Sequence, residues 1–288
     1  MYKVAILGSE NSHCAGFASV LAPLTGQKRF PDIFLCGVAG DDDSNMAVAE
    51  KAAVPAFKTD PAGFAGEVDA VMITARHGGL HLPWALPYIR EGAKLWIDKP
   101  ITASVEDART LVRLAHEKKL LLSGGSSLAG AEGTMRLKEL VREKRGSVTG
   151  GHVTAPVNLV NDYGNFWFYS QHLVQMVTEI FGQDIVSVSA KVKGDGVPAV
   201  FHYPSFDVTA YFGTGYSATV YLGGYGVACE KIDLGAEYFM PELEELADML
   251  REGKVRQTPE ELVYPVLVID ALIRSMEADG AEKEPVTL

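Results

Sequence analysis

The sequence predicts an α/β protein, with a doubly wound parallel sheet followed by a C-terminal α+β domain built on an open, mainly antiparallel sheet. Three observations carry this. Over residues 1–123, short continuous apolar runs alternate with helical segments, the pattern of strands covered on both faces by crossover helices. Beyond Gly124 the texture changes to longer β-rich runs bounded by glycines, such as Ser217-Ala218-Thr219-Val220-Tyr221. A chain of 288 residues is also long enough for two domains.

In the first domain (1–123) the apolar runs at 2–7, 33–39, 68–74, 94–97 and 120–123 are the predicted strands. Helices are predicted over 12–24, 44–53, 80–91 and 104–119. Gly92 stops the third, and Ser104 caps the fourth with Asp107 three residues on. In the second domain (124–288) a helix is predicted over 130–144 and another over 170–181, closed by Gly182. Strands are predicted over 148–159, 185–193, 200–212, 216–222 and 227–234. Two helices end the chain, over 238–251 and 259–278, the last opened by Thr258, Pro259 and Glu261. These final helices have the option of packing back on the first domain.

Composition narrows the function. The net charge is −11, and residues 230–288 carry 15 Asp/Glu against six Lys/Arg. Nucleic acid is a poor partner for that surface, because phosphate contacts need clustered Lys and Arg. No run of about 18 apolar residues appears, so no membrane span is expected. Met1-Tyr2-Lys3 passes directly into Val4-Ala5-Ile6-Leu7, without the layout of a secretory signal. Cys14, Cys36 and Cys229 are odd in number and widely spaced, which suits neither a disulfide framework nor zinc and fits the cytoplasm.

A doubly wound sheet binds ligands beyond the carboxyl ends of its strands, and the chemistry-bearing residues fall there. The first strand-to-helix turn is Gly8-Ser9-Glu10-Asn11-Ser12-His13. A dinucleotide loop reads G-x-G-x-x-G, so that amides can approach a pyrophosphate. Gly8 matches, while Glu10 and His13 stand where the other glycines belong. The competing reading is a plain turn with Asn11 or Ser12 as helix cap. The second strand ends at Gly40-Asp41-Asp42-Asp43, where Asp41 or Asp42 can hold an adenosine ribose hydroxyl or cap the next helix. An acid there repels a 2′-phosphate, which favours NAD over NADP. Trp96-Ile97-Asp98-Lys99-Pro100 sets a lysine at the carboxyl end of a central strand. Partial burial lowers such a lysine's pKa, so it can exchange a proton or hold a hydroxyl, with Asp98 as its counter-charge.

With its flanking strands this segment resembles the Gfo/Idh/MocA family of NAD(P)-dependent sugar oxidoreductases, in which it typically reads E-K-P. Val68-Asp69-Ala70-Val71-Met72-Ile73-Thr74, Glu91-Gly92-Ala93-Lys94 and Ser104-Val105-Glu106-Asp107-Ala108 match the frame around it, and the resemblance runs over nearly the whole chain, which is shorter than most members. The resemblance implies a Rossmann domain, then a domain with an open sheet. It implies cofactor contacts from Thr74, Arg76, His77 and His81, and from Asp98 and Lys99. Arg76 is also suited to a substrate carboxylate. The family's helix motif D-x-G-x-H-x-x-D reads Phe168-Tyr169-Ser170-Gln171-His172-Leu173-Val174-Gln175 here. His172 matches the catalytic histidine, and Phe168 and Gln175 replace the acids.

The run from Asn161 to Tyr169 supplies Tyr163, Trp167 and Tyr169, which suit a polyhydroxylated ring, a subunit interface or a core equally. His152 is a further candidate for the same pocket. His13, His77 and His81 have no spacing that specifies a metal geometry, so no metal is expected. The leading reading is a hydride transfer between NAD and a sugar, cyclitol or related polyol, with catalytic Lys99 and His172 and a homo-oligomer formed through the C-terminal sheet. The alternative is a non-catalytic sugar sensor on the same fold, and a lyase or hydrolase using transient oxidation shares the first site.

Overall fold

The chain, in a computed structural model that describes residues 1–22, 29–40, 44–235 and 238–288, begins with β1 (Tyr2–Leu7), α1 (Ser12–Leu21), β2 (Ile33–Ala39), α2 (Ser44–Ala52) and β3 (Phe57–Lys58). It continues through β4 (Ala70–Ile73), α3 (His81–Glu91), β5 (Lys94–Asp98), α4 (Val105–Lys118) and β6 (Leu122–Gly125). Then come α5 (Glu132–Glu143), β7 (Val148–Ala155), α6 (Phe166–Phe181), β8 (Ser187–Ala190), β9 (Val197–His202), β10 (Asp207–Phe212), β11 (Ser217–Leu222), β12 (Gly226–Lys231), α7 (Met240–Glu252) and α8 (Pro259–Glu277). Two compact units result: Met1–Gly125 with Phe239–Leu262, and Ser126–Tyr238 with Val263–Leu288.

In the first unit six parallel strands pair in the order β3-β2-β1-β4-β5-β6. Val4, Ala5, Ile6 and Leu7, and all four residues of β4, are fully buried. Helices on both faces leave no polar side for alternation, so these strands read as continuous apolar runs. The strand order reverses between β1 and β4, which puts the ligand crevice at their carboxyl ends. The helix α7 belongs here although it lies more than a hundred residues beyond β6 in sequence. Leu243, Leu246, Ala247 and Met249 bury one face of α7 in the core that holds Cys14, Phe17 and Trp96. Arg251 adds an ion pair with Asp32, and Glu245 accepts a hydrogen bond from Ser123 at the end of β6.

In the second unit the order is β12-β11-β7-β10-β9-β8, antiparallel except for the parallel pair β7–β10. The single strand expected over 200–212 is two strands. Pro204 lacks the N–H that a ladder needs, so the chain reverses there, and the Tyr203 N–H bonds the Phe206 carbonyl at 3.0 Å. The strand expected to reach residue 159 stops at Ala155, immediately before Pro156. Helix α6 starts four residues before the expected 170. Asn161 builds the turn ahead of it, its Oδ1 accepting the Tyr163 and Asn165 N–H groups at 2.8 and 3.2 Å.

One sheet face is covered by α6. Leu173, Val174, Val177 and Phe181 pack with Val153, Phe201, Val208, Phe212 and Val220. A side chain at Gly151 would meet the Phe181 ring at 2.3 Å, which explains a glycine in the middle of β7. The opposite face is open, with Asp207, Thr209 and Tyr211 alternating outward along β10. Among the described residues no helix is long and apolar enough to cross a membrane.

Because α7 completes the first core, Leu246→Ala should destabilise that unit by about 2–5 kcal/mol, the usual cost of emptying a packed leucine site. Denaturant unfolding measures this, followed by fluorescence in a Trp84→Phe, Trp167→Phe background that leaves Trp96, fully buried in the same core, as the single reporter.

Candidate functional site

Three loops meet at the carboxyl ends of β1, β4 and β5. Gly8 follows β1 with φ +94°, a left-handed conformation that glycine adopts without strain. A Cβ there would lie 2.3 Å from the Ala75 nitrogen, so the first loop presses against the loop after β4. Thr74 clamps the same junction, its hydroxyl bonding the Leu7 and Gly8 carbonyls at 2.9 and 3.0 Å. Asn11, not Ser12, caps α1: its Oδ1 accepts the His13 N–H at 3.1 Å, and Ser12 is exposed. Ser9 is buried and donates to Asn45 Oδ1. Asp41 and Asp42 lie outside the described residues.

The two side chains that replace glycines are both engaged by protein groups. Glu10 Oε1 accepts the Arg76 backbone N–H at 2.8 Å, which turns the carboxylate onto the β4 loop. His13 Nδ1 lies 2.8 Å from Asp98 Oδ2, and its ring packs edge-on against Phe17 and Phe239. On this observation the loop fits a dinucleotide. Glycine is kept where the backbone requires it, and the added carboxylate is met by a donor.

Asp98 has no exposed surface. Its carboxylate receives His13, the Asn11 amide at 3.3 Å and the Lys99 backbone N–H at 2.8 Å. Burial pushes its pKa up, but the neighbouring His13 and Lys99 charges and these hydrogen bonds outweigh it and hold the carboxyl below its ordinary value. Lys99 is 4% exposed. Burial lowers its pKa, helped by Arg76 and opposed by Asp98 and Glu242. A buried amine with a depressed pKa is suited to exchanging protons near neutral pH.

His81 is fully buried, with Nε2 2.7 Å from the Ala75 carbonyl and Nδ1 3.3 Å from that of Ile101. Burial lowers its pKa, opposed by the Ala75 and Ile101 carbonyls, and the ring sits between the β4 loop and the loop after β5. His77 Nδ1 accepts the Gly79 N–H and caps a single helical turn. The side chains of Thr74, His77 and His81, expected beside the cofactor, each bond the backbone of the loops at these strand ends.

Glu242, in the first turn of α7, carries no signal in the sequence. It is 6% exposed, and among the described residues neither carboxylate oxygen has a hydrogen-bond partner. Burial, then the Asp98 and Glu245 charges, raise its pKa well above the ordinary value.

In the second unit, His172 is buried on α6 with Nδ1 2.6 Å from Ser126 Oγ. Ser126 donates its backbone N–H to Gln175 Oε1 at 2.8 Å, and Gln171 donates to the same oxygen at 3.2 Å. Tyr169 and Tyr216 flank the imidazole, with ring centroids 5.5 and 5.9 Å away, and Phe168 bridges Tyr169 to Tyr163. Burial lifts the Tyr216 phenol to about 12, so it is a neutral hydroxyl there. Trp167 packs against the unit's core instead of joining this ring chain. His152 is separated from it as well. Its Nδ1 bonds Thr209 Oγ1 at 2.8 Å, in a hollow of about 540 Å³ on the sheet face opposite α6. Ser126 and Tyr216 were not readable as site residues. Ser126 gave one signal, its place at the carboxyl end of a strand. Among the described residues no cluster of His, Cys, Asp and Glu could hold a metal ion.

Residues 3–126 match the family model of Gfo/Idh/MocA, described as an oxidoreductase family with an NAD-binding Rossmann fold. No curated protein matches in sequence. Among solved structures, scyllo-inositol dehydrogenase from Lactobacillus casei, with NAD(H) and scyllo-inositol bound, is similar at TM-score 0.81 and 14% identity, covering 100% of both chains. GenD2 of gentamicin A biosynthesis, in complex with NAD, is similar at TM-score 0.82 and 18% identity, covering 99% of this chain and 97% of its own. An oxidoreductase from Thermotoga maritima matches at 0.79 and 18%, covering 98% of each. These likenesses extend the shared fold through the second unit.

The direction of the Glu242 shift fixes a stability test. An acid whose folded pKa exceeds its unfolded value costs nothing below the unfolded pKa, and stability is lost as pH rises through the folded one. Glu242→Gln should therefore raise the melting temperature more at pH 8.5 than at pH 5. An equal change at both values would show that the carboxyl ionises in place.

Proposed function

With residues 3–126 matching the family model of the Gfo/Idh/MocA oxidoreductases, we propose that the protein is an NAD-dependent dehydrogenase that moves a hydride between the nicotinamide and a sugar, cyclitol or related polyol. The observation that carries this reading is Lys99, a buried amine of lowered pKa beside a buried carboxylate at the carboxyl end of β5. The fold likeness to a scyllo-inositol dehydrogenase solved with NAD(H) and scyllo-inositol, and to GenD2 solved with NAD, supports it.

The nicotinamide, when bound, takes or supplies the hydride. The chain's own groups do the rest. Gly8 and the backbone of residues 9–13 would receive the pyrophosphate at the N-terminus of α1. Asp41 or Asp42 would hold the adenosine ribose, which is the sequence argument for NAD over NADP. Arg76 would contact an anionic group of cofactor or substrate. Lys99 would exchange the hydroxyl proton, and His172 would contact a substrate oxygen within an aromatic surround of Tyr163, Tyr169 and Tyr216. The free cysteines suit a reducing cytoplasm.

The open face of the second sheet would carry self-association. Tyr211, Tyr221 and Val227 are exposed there, the apolar content expected of an interface. Light scattering should give a dimer or larger species, and Val227→Asp should shift it toward monomer. A wild-type monomer at micromolar concentration would end this reading.

Calorimetric titration should show NAD(H) binding in the micromolar range and NADP(H) binding more weakly. Lys99→Met should lower kcat on an active polyol by roughly 10²–10⁴-fold, the range of a lost proton-transfer group, with NAD affinity within about twofold. No nucleotide binding, or wild-type turnover in the variant, would overturn the assignment.

A further inference from the structure

The hydrogen-bond accounting around Ser126 bears on which nitrogen of His172 carries the proton. Ser126 is 5% exposed, so its hydroxyl proton needs a partner inside the protein. Its oxygen accepts the Leu128 N–H at 3.2 Å, capping the turn that follows β6. Among the described residues, the one acceptor within reach of the hydroxyl proton is His172 Nδ1, at 2.6 Å. A hydroxyl donating to Nδ1 requires that nitrogen to be unprotonated, and neutral imidazole then carries its proton on Nε2. A carboxylate at this position would do the reverse, because it only accepts and so draws the proton onto Nδ1. Gln175, where the resemblance expects an acid, is spent on the Ser126 and Gln171 N–H groups and supplies no charge.

We infer that Ser126 is a positioning residue that holds His172 in the Nε2–H form, so that His172 gives a hydrogen bond to a substrate oxygen and is not the base that the resemblance implies. This rests on the reading of His172 as a substrate contact. Proton acceptance is then left to another group, the part given above to Lys99. Donation from a fixed N–H gains strength as negative charge grows on the oxygen, and a preorganised donor needs no reorganisation to supply it.

The test begins on the intact protein without substrate. Nitrogen-15 NMR of histidine-labelled protein, with His172 assigned by the signal lost in His172→Gln, should show the Nε2–H pattern at neutral pH. An Nδ1–H pattern would overturn the proposal. Ser126→Asp keeps a capping oxygen for the Leu128 N–H and should move the proton to Nδ1. An unchanged pattern in that folded variant would show that Ser126 does not set it. In turnover, His172→Gln retains an N–H donor but cannot act as a base, and it should stay within about tenfold of wild type. His172→Ala should fall by about 10²–10³-fold, as when a donor to a developing oxyanion is removed. Equal loss in both would restore the base assignment. Absence of polyol turnover in the wild type would defeat the dehydrogenase reading and leave the tautomer result standing.

Discussion

A carboxylate with no access to water has to be satisfied entirely by protein, and in the first unit that carboxylate is Asp98. An unpaired charge there would carry a desolvation cost of several kcal/mol. His13, Asn11 and the Lys99 N–H meet it, and each draws in a different segment. His13 and Asn11 open α1, and Asn11 also donates to the Thr74 carbonyl after β4. The ends of three strands are thus held through one buried side chain. The lysine backbone is fixed by the same contact, so its amine is placed by the residue beside it.

The same constraint accounts for the departures from a standard dinucleotide loop. Glycines allow backbone to approach a ligand, but they carry no side chain for tying loops together. Glu10 and His13 do that here, one to Arg76 and one to Asp98. His81 and Thr74 add further ties on the β4 side. Residues singled out by position as candidate ligand contacts also fasten these loops to one another. The second unit divides its histidines by sheet face. His172 sits on the helix-covered side with Ser126, and His152 sits on the open side with Thr209. Pairing directly along β7 and β10 brings His152 to Thr209, and the alternation of side chains turns both away from α6.

Local chemistry was enough to read most of the fold. Continuous apolar runs, the Ser104 cap and the glycine stops mark the parallel sheet and its crossovers. Asp98-Lys99-Pro100 is legible because charged residues ending an apolar strand stand out against it. Gly8 is legible because the turn demands a positive φ. The misread boundaries have local causes as well, since Pro204 and Pro156 each end a ladder that composition alone would continue. Ser126, Tyr216 and Glu242 were not legible. Each is an ordinary residue type in an ordinary context, and its importance comes mainly from neighbours distant in sequence, as with the 46-residue separation of Ser126 and His172.

The amino-acid sequence by itself determined most of the alternation of strands and helices, though not β3 or the break between β9 and β10, together with the parallel sheet of residues 1–123 and the lysine that follows Asp98, because these follow from hydrophobic period and turn chemistry within a few residues. Tertiary structure decided the rest. It placed α7 in the first core, enclosed Glu242, turned Glu10 onto Arg76 and gave Ser126 to His172. Burial and hydrogen-bond satisfaction are properties of segments brought together from distant parts of the chain, and no local pattern encodes which partner a buried polar group will find.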